Sequence, residues 1–194
     1  MSPMKEKKTI RKAQIAEKAT KLFLERGYDN TPMSAVAKAT GISKAHLYNY
    51  FANKEDLLFH IIKQTMHDEF NLILAAAEEI SDPEERLRYF LRAYTDLLTE
   101  DGRARIMIHD ASRLNSIHFS KIAIMWRRTF DLIRGAVSEL QKSGKANKLN
   151  KNFVAFASLG MISWTFYWFD YSRKESATEL SDTYIELLFQ GLMK

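Results

Sequence analysis

GYDNTPMSAVAKATGISKAHLYNYFANK, residues 27 to 54, is the stretch whose reading decides the fold. Thr31 is placed to cap a helix with Pro32 at its first position; Met33, Val36 and Ala37 form its inner face, and Gly41 ends it after barely two turns. Ser43 then caps a further short helix whose inward residues, Leu47 and Phe51, are four apart. Two helices this short, joined by a glycine-containing turn, cannot bury much alone and must lie across flanking helices to complete a small core. The second of them keeps an outer face: Ala45, Tyr48 and Asn49 lie roughly opposite Leu47, with His46 on a flank and Lys44 projecting from the first turn. A helix of this layout suits the major groove of DNA, entered N-terminus first, with base edges near its start and phosphates further along.

Helical periodicity extends outward in both directions. Upstream, Ile15, Ala16, Ala19, Leu22 and Phe23 share one face of a first helix that stops at Gly27, a residue able to take the left-handed conformation past a helix end. Downstream, Asn53 caps a long fourth helix with Glu55 and Asp56 in its first turn and Leu57, Leu58, Ile61, Ile62 and Thr65 inward. Asp82-Pro83-Glu84-Glu85 starts a fifth, ending near Gly102, and a shorter helix covers roughly 103 to 112. Ile122 to Val137 mark a seventh that stops before Gly144; Asn150 to Tyr171 and about Thr178 to Met193 form the last two. No alternating run framed by hairpin turns interrupts this pattern, so the expected fold is all-α with nine helices. Residues 1–54 are read as a DNA-binding head and 55–194 as a helical body.

Charge supports that division. Residues 1–54 carry 11 Lys/Arg against 4 Asp/Glu, whereas the remainder carries 18 against 20, so the basic, polyanion-seeking surface is N-terminal. The absence of cysteine excludes a disulfide framework, a thiol nucleophile and a thiolate zinc site. Lys5, Glu6, Lys7 and Lys8 lead directly into a helical pattern unlike a secretory signal, so a cytoplasmic location is expected. The uncharged run Phe153 to Phe169 falls short of the roughly 20 apolar residues a bilayer span needs, and is expected to be a helix buried by protein.

The segment resembles the DNA-binding domain of the TetR family of regulators. The resemblance rests on Gly27-Tyr28, Thr31, Val36-Ala37, Thr40-Gly41-Ile42-Ser43, Leu47-Tyr48-Asn49-Tyr50-Phe51 and Lys54-Glu55-Asp56-Leu57, which follow the family's spacing without a gap. It covers about the first 60 residues; beyond them only helix count and length match. The resemblance implies a homodimer on a palindromic operator in double-stranded DNA. Lys44 and His46 stand at base-proximal positions, Tyr48, Tyr50 and Lys54 at phosphate positions, and Ser34 at a position that in some relatives reaches a base. Ser43, Ala45 and Asn49 complete the expected DNA face. Pro32 replaces a common threonine and brings neither hydroxyl nor N–H, and Ala45 replaces a common glycine, its methyl able to meet a thymine methyl.

The resemblance also implies an effector pocket in the body and a dimer interface on the last two helices. Met66, Phe70, Phe90, Tyr94, Met107, Trp126, Phe130 and Trp164 are candidate pocket residues, suited to an apolar or aromatic small molecule; as aromatics and methionines at helical spacing they equally suit plain core. Phe156, Gly160, Ser163, Tyr167, Tyr184 and Leu188 are candidate interface residues, Gly160 and Ser163 permitting close helix approach. Neither cofactor, metal site nor membrane partner is implied. An enzyme finds little support, since His109 and Asp110 are adjacent and so not face to face on a helix, and His60 and His67 lack the three or four converging ligands of a metal site. The alternative is a helical interaction module whose basic head binds a protein or an anionic surface.

Overall fold

A computed structural model describes residues 3–100, 102–170 and 175–194. Helix α1 spans Pro3–Arg26, α2 Met33–Thr40, α3 Lys44–Tyr48 and α4 Lys54–Thr65. A π-helical turn, Met66–Phe70, carries α4 without a break into α5, Asn71–Glu79. Then follow α6 (Pro83–Glu100), α7 (Arg103–His109), a 3-10 turn (Ala111–Arg113), α8 (Ser116–Lys142), α9 (Lys151–Trp164), a second 3-10 turn (Thr165–Tyr167) and α10 (Glu175–Leu192). With α4 and α5 counted together, the described residues form the nine expected helices. Pairing of the β type is limited, among the described residues, to an isolated bridge between Ala146 and Met193.

By mutual contact the chain divides into two compact units. The first comprises Met1–Thr65 and Arg103–Phe119, the second Met66–Gly102 and Ser120–Lys194. The boundary expected after residue 54 therefore falls inside the first unit, because α4 packs on α1 and the α7 segment returns to both. In this unit Ile15, Ala19 and Phe23 of α1 are buried, as are Val36 and Ala37 of α2, Leu47, Phe51, and Leu57, Leu58 and Ile61 of α4, with Ala104 and Met107 of α7. Burial of these side chains, each worth about 1.5–3 kcal/mol for a Leu, Val, Ile, Phe or Met, lets helices as short as α2 and α3 persist.

The second unit is organised around α6, which packs against α5, α9 and α10. Leu87, Phe90, Leu91, Tyr94 and Leu98 lie on its buried face. Thr95, Thr99, Thr129 and Ser158 are buried and return their hydroxyl protons to carbonyls of the preceding helical turn, so no donor is stranded. The last helix but one is shorter than expected. Its α-helical hydrogen bonding ends at Trp164, the chain tightens into the 3-10 turn, and Trp168 (φ −129°, ψ −12°) leaves helical geometry; Tyr171 lies outside the described residues. The uncharged run from Phe153 is thus split between two elements, and no described helix is long and apolar enough to cross a membrane.

Candidate DNA-binding surface

The first unit presents α3 through a chain of local decisions. Helix α1 ends at Gly27, whose φ of +80° a side chain would strain, and the Gly27 N–H donates to the Phe23 carbonyl at 2.9 Å. Thr31 is fully buried but does not cap α2 as expected. Its hydroxyl donates backward to the carbonyls of Gly27 (2.9 Å) and Leu22 (3.3 Å), closing the end of α1, and Pro32 occupies the N-cap of α2 without a side-chain bond. Gly41 takes φ +68° and its N–H closes the last turn of α2, so α3 starts only three residues after α2 ends. Ser43 caps α3 as expected, its hydroxyl oxygen accepting from the His46 N–H at 3.1 Å. The α-helix stops at Tyr48, and a turn carries the chain to Phe51, whose N–H still reaches the Leu47 carbonyl.

Leu47 is completely buried and pins the helix, which leaves Ser43, Lys44, Ala45, His46, Tyr48 and Asn49 exposed together; Ser34 is exposed on α2. Tyr50 is half-buried with its ring edge-on to His46, centroids 5.4 Å apart. Asn53 caps α4 as expected: its side-chain Oδ1 accepts from the Asp56 N–H at 2.8 Å while the Asp56 carboxylate accepts from the Ala52 N–H at 3.1 Å, a reciprocal arrangement. Lys54, in the first turn, is not a freely waving cation. Its Nζ lies 4.1 Å from the centroid of the Tyr28 ring and donates to the Asp29 carbonyl at 3.3 Å. Burial lowers its pKa, with the Asp29 charge acting in the opposite sense, and burial likewise raises that of Tyr28.

Sequence reading missed the partners of this corner. Arg113, 84 residues from Asp29, pairs with its carboxylate at 2.8 Å and with Asp110 at 2.8 Å, and stands 5.5 Å from the Tyr28 ring. Also within this unit, Glu55 accepts from Asn115 and pairs with His118 at 2.8 Å, and the His118 ring stacks on Phe59 at 3.9 Å. No local pattern marks such pairings. The expectation that His109 and Asp110 stay apart is corrected: Asp110 lies just beyond α7, so its carboxylate comes within 3.0 Å of His109 Nδ1, but it is also held by Arg113.

In the second unit the expected effector residues separate. Phe70, Phe90 and Tyr94 come together, with centroid separations of 5.0 to 6.4 Å, and Met66 is buried in the same unit. Tyr94, buried and hydrogen-bonded to Ser163, has its pKa pushed up to about 12 by desolvation. Trp126 and Phe130 are half-buried on α8, Trp164 is largely exposed, and Met107 belongs to the first unit.

The expected interface residues also divide. Phe156, Gly160, Trp164 and Tyr167 are exposed and, with Phe153, follow 3-4-4-3 spacing along one stripe of α9 and its 3-10 extension. Ser163 and Tyr184 turn inward. Ser163 meets Tyr94, and the Tyr184 hydroxyl lies 2.8 Å from that of Thr165, because both residues sit on the helix faces that pack within the unit. Leu188 is half-buried, and Leu187 is the exposed apolar residue of α10, alongside Phe153 a position the sequence reading did not select.

A short exposed helix seated by a three-residue turn on a small basic head, joined to a larger helical unit, defines a helix-turn-helix DNA-binding regulator. The comparisons carry this to a family. The model for "Bacterial regulatory proteins, tetR family" matches residues 15–61, and that for "Tetracyclin repressor-like, C-terminal domain" matches residues 81–192. The Fatty acid metabolism regulator protein of Bacillus subtilis (strain 168) is 26% identical over 182 residues, covering 92% of this chain and 94% of that protein. The crystal structure of AibR in complex with isovaleryl coenzyme A and operator DNA superposes with a TM-score of 0.86 at 29% identity, covering 93% of this chain and 99% of that one. The structure of FadR from Bacillus subtilis in complex with stearoyl-CoA gives 0.75 at 25%, covering 92% and 98%. The chain belongs to the TetR family of DNA-binding transcriptional regulators.

Proposed function

We propose that the protein is a homodimeric repressor that binds a palindromic operator through two copies of the α3 face and leaves it when the body binds a coenzyme A thioester. The exposed set Ser43, Lys44, Ala45, His46, Tyr48 and Asn49 over the fully buried Leu47 carries the DNA part of this reading. Lys44 and His46 read base edges, Ser34 assists from α2, and Tyr48, Tyr50 and Lys54 meet phosphates. Two heads occupy half-sites about one helical turn apart, roughly 34–36 Å, and two-fold symmetry makes the operator palindromic. Dimerisation uses the stripe Phe153, Phe156, Gly160, Trp164 and Tyr167 together with Leu187, apolar surface that a protomer leaves uncovered. The protein acts where the chromosome is, in the cytoplasm.

The effector class rests on the relatives. AibR and FadR are described bound to isovaleryl coenzyme A and stearoyl-CoA, acyl thioesters of very different chain length, and the Bacillus relative that spans nearly the whole chain is a fatty acid metabolism regulator. The buried apolar residues Phe70, Phe90, Met66 and Tyr94 of the second unit are of the kind that suits an acyl chain. The test is selection of a duplex from a random library by the purified protein, followed by titration of that complex with isovaleryl-CoA, stearoyl-CoA and free coenzyme A. Release by an acyl-CoA but not by free coenzyme A supports the reading. An enriched palindrome with no acyl-CoA response overturns the effector assignment, and a folded protein that enriches no sequence overturns the DNA assignment.

A further inference from the structure

We propose that Arg113 is a positioning residue for DNA binding: acting through Tyr28 and Asp29, it fixes the direction in which the Lys54 ammonium meets a phosphate. The inference rests on the reading of Lys54 as a phosphate contact.

Everything in the argument lies within the first unit. A lysine ammonium has three N–H donors on a flexible stem and ordinarily acts as a mobile point charge. At Lys54 two directions are taken, one by the Asp29 carbonyl at 3.3 Å and one by the face of Tyr28 at 4.1 Å from its centroid. The third donor is left with a set direction. Both constraints belong to the Tyr28-Asp29 dipeptide, so whatever holds that dipeptide holds the ammonium. Two things do. Phe23 of α1 meets the Tyr28 ring edge-on, centroids 5.2 Å apart, and Arg113 holds the Asp29 carboxylate at 2.8 Å while lying 5.5 Å from the same ring.

Arg113 is itself locked. It ends the 3-10 turn after α7, and its Nε donates at 2.8 Å to Asp110, whose side chain is only 9% exposed. These bonds raise the Arg113 pKa above its ordinary value, which keeps the guanidinium charged at every working pH. The Asp29 side chain, in contrast, is 65% exposed, so the Arg113–Asp29 pair adds little to stability. What it does contribute is geometry, because the planar guanidinium orients a carboxylate as a lysine in its place would not.

The experiment measures binding to a duplex recovered from a random library, by fluorescence anisotropy over a range of salt concentrations, for wild type, Lys54→Ala, Arg113→Ala, the double variant and Asp29→Ala. Lys54→Ala lowers the salt slope by about 1.8, the value for two lost phosphate contacts, one from each protomer. Arg113→Ala is expected to bind about 3- to 10-fold more weakly with a similar fall in slope, and the double variant to be no worse than Lys54→Ala. Asp29→Ala provides the opposed sign. Removing a negative charge from the head strengthens DNA binding if charge alone matters, whereas loss of positioning weakens it. Weaker binding by Asp29→Ala, together with non-additivity, supports the proposal. Additive losses, with the slope of the double variant falling by about 3.6, mean Arg113 touches a phosphate itself. Weaker binding at unchanged slope means it serves only the fold. Either result, or tighter binding by Asp29→Ala, overturns the proposal, and an unchanged slope for Lys54→Ala overturns the phosphate reading beneath it.

Discussion

Replacing Phe156 by aspartate isolates the dimerisation half of the function. Phe156 is 64% exposed in the protomer, in the middle of the α9 stripe. An aromatic side chain buries roughly 150–250 Å², so about 100–160 Å² of Phe156 is left for a partner. At ~25 cal/mol per Å² that is about 2.5–4 kcal/mol per copy, and a two-fold interface counts it twice. Association costs and incomplete coverage absorb much of this, leaving about 2–3 kcal/mol, or a 30- to 150-fold rise in the dimer Kd. Two facing carboxylates add repulsion in the same direction. Within the protomer Phe156 is mostly exposed and its ring lies 4.8 Å from that of Phe130, so thermal unfolding of the monomer should move little. Sedimentation across a concentration series measures the dimer constant, and anisotropy on a palindromic duplex and on its half-site measures the consequence. The variant should sediment as a monomer where wild type is a dimer and lose its preference for the palindrome. A variant that dimerises with unchanged Kd refutes the assignment of this stripe, whatever happens to DNA binding.

Leu47→Ala should cost about 2–5 kcal/mol, because Leu47 is fully buried where α3 meets its small core, and urea unfolding should show the loss along with specific DNA binding. Lys44→Ala, at an exposed position, should leave the unfolding midpoint unchanged while relaxing the preference at one base pair per half-site by about 1–3 kcal/mol, read by repeating the selection. Tyr94 gives a signature at alkaline pH. Its folded pKa of about 12 exceeds the ordinary 10.0, so the neutral form favoured by folding contributes its full stability below pH 10 and loses it as pH rises toward 12. Unfolding experiments across that window should show a decline that is shallower in Tyr94→Phe, which has no proton to lose; equal declines would mean that other groups cause it.

The head was legible because its determinants are local. Gly27 and Gly41 at helix ends, the Ser43 and Asn53 caps, and inward Leu47 all act within four residues of where they stand in the chain, and the structure finds them in those roles. Thr31 shows the limit of local reading. A threonine one residue before proline suggests a cap, but the buried hydroxyl instead donates back to the carbonyls of Leu22 and Gly27. In the second unit periodicity gave the helices but not the phase of each exposed face. Ser163 and Trp164 are neighbours on an aromatic-rich helix, and only packing against α6 decides that Ser163 turns inward to Tyr94 while Trp164 stays exposed.

By contact the first unit runs past the boundary expected after residue 54, for a related reason that bears on function. Nothing in residues 103–119 resembles a DNA-binding segment, and the sequence between Thr65 and Arg103 belongs to the second unit, yet α7 packs on α1 and α4 within the first. The ties that join this segment to the DNA-binding helices are charge pairs and ring contacts across tens of residues: Arg113 to Asp29, and Asn115 and His118 to Glu55. Pairs of this kind leave no hydrophobic period in the sequence, and the one between Arg113 and the exposed Asp29 carboxylate adds little to stability. Their effect is on orientation: Glu55 follows Lys54 at the start of α4, and Asp29 holds Lys54 through its carbonyl. On the proposal that Arg113 orients Lys54 through Tyr28 and Asp29, the side chains that set the direction of this lysine include one more than fifty residues further along the chain.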